Sequence, residues 1–316
     1  MRASGVSARG AIARRLKTKQ SIFSHWQLYV MLALPVLYML IFCYYPMSSI
    51  QIAFRKYVPR LGVWGSQWVG LANFVKFINS YRFWPIVRNT LTISLYSILA
   101  ALPTAVLLAL CLNAMLGKRR KKVVQILTYM PNFISTVVMV GILKQLLHPR
   151  MGLYATFAGL LGMEPTDVFG SSGLFSHLYV WSNVWQKTGW SSIIYLAALS
   201  AVDPELHEAA VVDGANRFQR VLHIDLPTIY STMMIMVILN MGQVMSLGFE
   251  RVYLMQTDLN LNASEIISTY VYKVGLTGQT DFSSSTAINL FNSVINLFLI
   301  VGTNMLAKKT GDSGLF

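Results

Sequence analysis

Glu205-Leu-His-Glu-Ala-Ala-Val-Val-Asp-Gly-Ala-Asn-Arg-Phe-Gln-Arg-Val-Leu-His-Ile-Asp-Leu-Pro227 is a charged island in a strongly apolar chain. Five of the twelve acidic residues, Asp203, Glu205, Glu208, Asp213 and Asp225, fall within it or its immediate approach. Asp203-Pro204 predicts a helix start, a capping oxygen followed by a proline at the first helical position. Asp213-Gly214-Ala215-Asn216 predicts a break, because glycine takes positive φ without steric cost. Arg217 to Ile224 is expected to resume a helix that Pro227 ends. The island therefore reads as two short helices around a glycine elbow, held outside lipid in a form that another protein can grip.

Around the island the composition is that of a membrane protein. Of 316 residues 54% are hydrophobic and 12% charged, with a mean hydropathy of +0.51. A soluble domain carries about a quarter charged residues. The net charge of +14 does not point to nucleic acid, since the basic residues cluster beside apolar runs, as membrane orientation requires. Cys43 and Cys111 fall inside predicted spans and read as small buried hydrophobes, with no disulfide framework.

Taken in order, residues 1–26 form a basic arm expected on the cytoplasmic leaflet. Six spans follow, over about 27–49, 89–113 (broken by Pro103), 123–147 (including Pro131), 178–199, 229–248 and 286–306, each near the length needed to cross the hydrocarbon. Together they make one membrane domain, 27–309, with the island (203–227) between the fourth and fifth spans and a short tail, 310–316. The arm, the Lys118-Arg-Arg-Lys-Lys122 run, the island and Lys308-Lys309 hold fifteen of the 26 Lys and Arg. That distribution predicts both termini in the cytoplasm, although six bases between Arg55 and Arg88 weaken the asymmetry. Trp64, Trp68, Phe74 and Phe77 read as interfacial aromatics, and 265–272 as an interfacial helix.

No catalytic constellation and no metal-ligand spacing is visible among the five histidines. A phosphate-binding Gly-x-x-x-x-Gly-Lys-Ser/Thr loop is absent, so no ATP hydrolysis is expected of this chain. The spans hold essentially no acid, which argues against a proton- or sodium-coupled carrier or a channel. An integral-membrane enzyme would need a nucleophile or metal cluster. A neutral polar set stands out instead: Trp181, Asn183, Trp185 and Gln186 in the fourth span, Asn240 and Gln243 on the fifth, and Asn289, Asn292, Ser293 and Asn296 on one face of the sixth. Amides with aromatic faces suit sugar hydroxyls and rings. The same amides also serve as interhelical glue, contributing about 0.6–2 kcal/mol each.

Two motifs carry a family resemblance. Glu208-Ala209-Ala210, Asp213-Gly214-Ala215, Ile224 and Leu226-Pro227 resemble the EAA loop of permease subunits in binding-protein-dependent ABC importers. The chain departs from that pattern at Ser231, where many sugar permeases carry a second proline. Pro46-Met47, Ala53-Phe-Arg-Lys-Tyr57 and Gly65-Ser-Gln-Trp-Val-Gly-Leu-Ala-Asn-Phe74 are similar to the oligosaccharide and polysaccharide branch of that family. The resemblance implies an all-α, six-helix type I importer permease of a bacterial plasma membrane, with the island as its coupling helix. Gly214 would supply the elbow, and Ala209, Ala210 and Ala215 would allow close seating in an ATPase groove. Glu208 and Asp213 would meet donors there or cap the helices. The implied partners are a second related permease, two cytosolic ATPase subunits carrying ATP and Mg2+, and an extracellular solute-binding protein, with no cofactor on this chain and no nucleic acid. Another polar solute, such as a peptide or polyol phosphate, is the alternative cargo.

Overall fold

A computed structural model describes residues 26–277 and 280–309; most of the basic arm and the 310–316 tail lie outside them. The long helices are α1 (Trp26–Phe54), α3 (Phe83–Ala114), α7 (Ser172–Leu199), α9 (Arg217–Met241) and α13 (Phe282–Lys309), with the pair α4 (Lys118–Tyr129) and α5 (Thr136–Leu146). Shorter helices are α2 (Ala72–Ile78), α6 (Leu153–Leu160), α8 (Pro204–Val212), α10 (Phe249–Met255), α11 (Leu261–Ser264) and α12 (Ile267–Tyr272). A two-stranded antiparallel hairpin, β1 (Arg55–Lys56) with β2 (Gln67–Trp68), caps the end of α1, in the register Arg55↔Trp68.

Among the described residues four helices, α1, α3, α9 and α13, are long and apolar enough to cross a membrane, and α4 with α5 makes a fifth candidate bent by 98°. The remaining predicted span, the fourth, is α7, which has the length, about 42 Å at 1.5 Å per residue, but not the apolarity. Its polarity follows from its position. Packed along α3 at the centre of the molecule, α7 buries Ser182, Gln186 and Ser192 against neighbouring helices rather than lipid.

The predicted boundaries change where proline acts. Pro103 does not break α3, which runs through it to Ala114; the Thr104 hydroxyl donates to the Ala100 and Ala101 carbonyls in that turn. Pro227 does not end the second island helix, which continues into the membrane as α9. A π-turn over Val221–Asp225, closed by Leu226 N–H to Val221 O, delivers the chain to that proline. The same device, Leu40–Tyr44 closed by Tyr45 N–H to Leu40 O, precedes Pro46 in α1. In each case the extra residue of the i→i−5 turn accommodates a ring that cannot donate a hydrogen bond. Pro131 has the opposite result. Met130–Phe133 tightens to a 3₁₀ turn and the chain swings through the 98° bend into α5.

Three apolar clusters hold the helices. One joins α3, α5, α7 and α10 through Ile93, Val140, Phe175, Val180 and Met255. A second joins α3, α7 and α9 towards the elbow through Ala109, Tyr195, Leu199 and Ile229. At the hairpin end Phe77, Phe83, Ile86, Ile267 and Ile288 form the third. Phe77 is therefore a core residue at 4% exposure and not interfacial, while Trp64 and Trp68 stay exposed. The segment predicted as an interfacial helix also folds inward, with Glu265, Ile266, Ile267 and Thr269 buried. Cys43 and Cys111, expected to be buried, lie on exposed helix faces. Residues 26–50 of α1 are exposed along their whole length, and only the last turns pack, against α13.

Candidate functional site

The elbow is built by local chemistry. Asp203 Oδ1 accepts the Glu205 N–H at 3.0 Å and starts α8. At the other end Ala215 N–H reaches Ala210 O at 2.8 Å and Gly214 N–H reaches Val211 O at 3.1 Å. That pair of bonds is a Schellman closure, and it requires the left-handed φ of +81° held by Gly214. Asn216 and Gln219 then exchange side-chain-to-backbone bonds at 2.8 Å, a capping box that opens α9. Asp213 sits at the end of α8 with no side-chain capping bond; it lines a cavity of about 300 Å³ with Ala210, Gly214, Ala215, Arg220 and Ile224. Glu208 and Ala209 are exposed, as is Pro227, whereas Ile224 and Leu226 are half-buried. Val212 at 88% and Phe218 at 73% exposure put apolar side chains at the tip, where a soluble partner can cover them.

Behind the elbow lies a joint that sequence reading did not single out. Asp225 is 3% exposed. Its Oδ1 lies 3.3 Å from His207 Nε2 of α8 and accepts from Asn113 Nδ2 of α3 at 3.4 Å. One buried carboxylate thus ties the elbow to two long helices. The sequence signal was present, since Asp225 is the one acid among the described residues of the long helices.

The predicted polar set is dispersed. Gln186 is an internal node, 1% exposed, donating to the Ile134 carbonyl freed by the α4–α5 bend at 2.7 Å and accepting from Arg251. Arg251, itself buried, also donates to Ser182 at 3.2 Å. Trp181 and Trp185 line a mostly apolar cavity of about 480 Å³ against α3 and α4. Trp181 is tied by its indole N–H to Tyr96. Asn296 clamps the end of α9, accepting from Met245 N–H at 3.0 Å and donating to Ser246 at 2.8 Å. Gln243 lies in the turn after α9, which ends at Met241 and not at 248; Asn240 bonds its own helix at Met236 O. Asn289 is exposed on α13, and Asn292 is buried with its Oδ1 lacking a hydrogen-bond partner among the described residues.

On the remaining face of α7 a compact patch assembles. Asn183, Lys187 and Trp190, spaced four and three residues apart, share that face. The α4–α5 junction meets it: Lys187 Nζ donates to Asn132 Oδ1 at 3.0 Å, and Phe133 packs edge-on against Trp190 at 5.9 Å. Close crossing is possible because Gly189 faces the Thr128 carbonyl, which an added Cβ would approach to 2.0 Å. Amide, cation and aromatic faces are thereby presented together about halfway along a 28-residue helix.

These features find their match in known proteins. Residues 101–312 match the model of the binding-protein-dependent transport system inner membrane component. The chain belongs to that family. Protein LplB of Bacillus subtilis (strain 168) is 41% identical over 92% of this chain and 91% of its own. The polygalacturonan/rhamnogalacturonan transport system permease protein YteP of the same organism is 41% identical over 92% of this chain and 90% of its own. Among solved structures, a chain of a bacterial alginate ABC transporter, crystallised with an alginate pentasaccharide-bound periplasmic protein, superposes with a TM-score of 0.86 at 33% identity. That match covers 94% of this chain and 99% of the other. The protein is thus a multi-pass ABC-importer permease, a transport subunit and not an enzyme, with the all-α fold that the sequence implied.

Proposed function

We propose that this permease forms half of the translocation pathway of an ATP-driven importer for oligosaccharides or polysaccharide fragments, and that residues 203–227 couple it to cytosolic ATPase subunits. The observation that carries the reading is the elbow with its joint: an exposed apolar tip, a glycine-dependent turn, and a buried Asp225 that fastens the turn to α3 and α9. ATP-driven closure of two ATPase subunits would move α8 as a lever. Through the joint, α3 and α9 would rock and the pathway would alternate between a loaded binding protein outside and the cytoplasm. Supporting the cargo class are the polygalacturonan and rhamnogalacturonan for which YteP is named and the alginate of the transporter structure. A second, related permease would cover the exposed face of α1 and complete the pore. ATP and Mg2+ would be held by the ATPases, both termini would be cytoplasmic, and the membrane would be the bacterial plasma membrane.

The test is Gly214→Pro, which fixes φ near −65° where the turn needs +81°. The variant is expected to reach the membrane and lose ATP-dependent oligosaccharide uptake, together with co-purification of the ATPase. Normal uptake would remove the elbow's coupling role.

A further inference from the structure

We propose that Lys187 makes this permease selective for anionic cargo, a uronate-bearing oligosaccharide, by presenting its ammonium to the sugar carboxylate partway across the membrane. The inference rests on the permease reading above and adds the charge of the cargo. Lys187 lies about 20 Å from either end of α7 at 1.5 Å per residue, and it is exposed on the surface of the chain. An ammonium at that depth does not face hydrocarbon; it faces a water-filled path or an opposite charge. Among the described residues no carboxylate pairs with it; Arg251, whose charge Glu250 partly offsets, lies behind Gln186. Asp225, the one acid of the long helices, is committed at the elbow.

The neighbours of Lys187 fit the same ligand. Asn132 Oδ1 takes one of its three protons and orients the group, leaving two for an incoming anion. Trp190, 51% exposed, and Phe133, 75% exposed, offer flat apolar surface to sugar rings, and Asn183 offers an amide to hydroxyls. At the hairpin end a cavity of about 530 Å³ is lined by Lys76, Arg82 and Lys273 with Phe77 and Tyr270. Those three cations meet two carboxylates, Asp281 and Glu265. That cluster is thus net positive by one charge, and two of the six bases between Arg55 and Arg88, Lys76 and Arg82, belong to it.

The experiment uses the complete importer, with its cognate second permease, ATPases and binding protein, in membrane vesicles supplied with ATP. Uptake of labelled trigalacturonate is compared with that of the trisaccharide whose carboxyls are reduced to alcohols. Lys187→Met is expected to lower trigalacturonate uptake about tenfold or more, the scale of a lost charge-assisted hydrogen bond, while the second permease still co-purifies. Lys187→Arg, which keeps the charge, should retain uptake. Unchanged trigalacturonate uptake in Lys187→Met would overturn the proposal, as would loss of the second permease, which would make Lys187 an interfacial ion-pair residue. Wild-type uptake of the reduced sugar alone would also overturn it while leaving the permease reading intact. An absence of ATP-dependent uptake of either sugar would remove both.

Discussion

Asp225 and Asn296 show how single polar side chains hold an apolar molecule together. Removing His207 by His207→Ala leaves a buried carboxylate with the long Asn113 bond as its remaining support. The cost of such an orphaned group is about 1–3 kcal/mol, expected as a lower melting temperature of the purified chain and as ATPase activity that no longer tracks transport. Asn296→Leu strips the Met245 N–H of its acceptor and is expected to cost a similar about 1–3 kcal/mol, seen as lost thermal stability along with lost uptake. The spacing of polar residues along α13 could not separate glue from pathway. An asparagine's role depends on which backbone group lies opposite, and for Asn296 that group is fifty-one residues away. Asp281 offers a pH prediction. Burial, the largest single influence, pushes its pKa up, yet hydrogen bonds from Lys76 and Ser284 outweigh it and hold the carboxyl below the ordinary value. A depressed folded pKa contributes stability above the unfolded pKa of about 3.9, and that contribution is lost as pH falls through the lower folded value. Melting curves between pH 3 and 6 should therefore show a wild-type decline at the acid end that Asp281→Asn lacks.

At the scale of elements, glycine and proline set the shape. The Gly214 elbow was legible because an Asp-Gly-Ala-Asn break between helical runs admits few conformations. The consequences of proline were not. Pro103, Pro131 and Pro227 look alike in sequence, yet one lies in a continuous helix, one precedes a sharp bend and one follows a π-turn. What differs is whether neighbouring groups satisfy or bypass the carbonyl left without a donor. At Pro131 the bend exposes Ile134 O, which Gln186 reaches from α7. Gly189 completes that crossing by letting α7 lie against Thr128. Gly189→Val is expected to force the helices apart, at a cost of about 1–3 kcal/mol or more. Poor recovery of folded protein after detergent extraction would be the readout; wild-type yield and melting temperature would mean that the crossing relaxes.

For the whole molecule the testable matter is sidedness. In a background with Cys43 and Cys111 replaced, cysteines introduced at Val212 and Phe218 should react with a membrane-impermeant maleimide from the cytoplasmic face alone. Cysteines at Trp64 and Leu259, both exposed near the opposite end, should react from outside alone. Reversed labelling would place the elbow outside and end its ATPase role. The exposed bulk of α1, predominantly apolar, is left for lipid or another subunit to cover, since this chain supplies almost nothing to pack on it.

Composition, the spacing of apolar runs and the island motif by themselves determined the membrane setting, the all-α fold and the place of the elbow. Each of those depends on local sequence: the length of a run against bilayer thickness, or a glycine between two capped helices. Tertiary structure alone decided that α7 is a polar central helix, that Gln186 and Asn296 work inside the chain, that Asp225 joins the elbow to α3, and that Asn132, Phe133, Asn183, Lys187 and Trp190 share one patch. Those outcomes depend on which helices cross and how closely. A single chain's periodicity gives the face a residue occupies, but not what the fold brings to meet it.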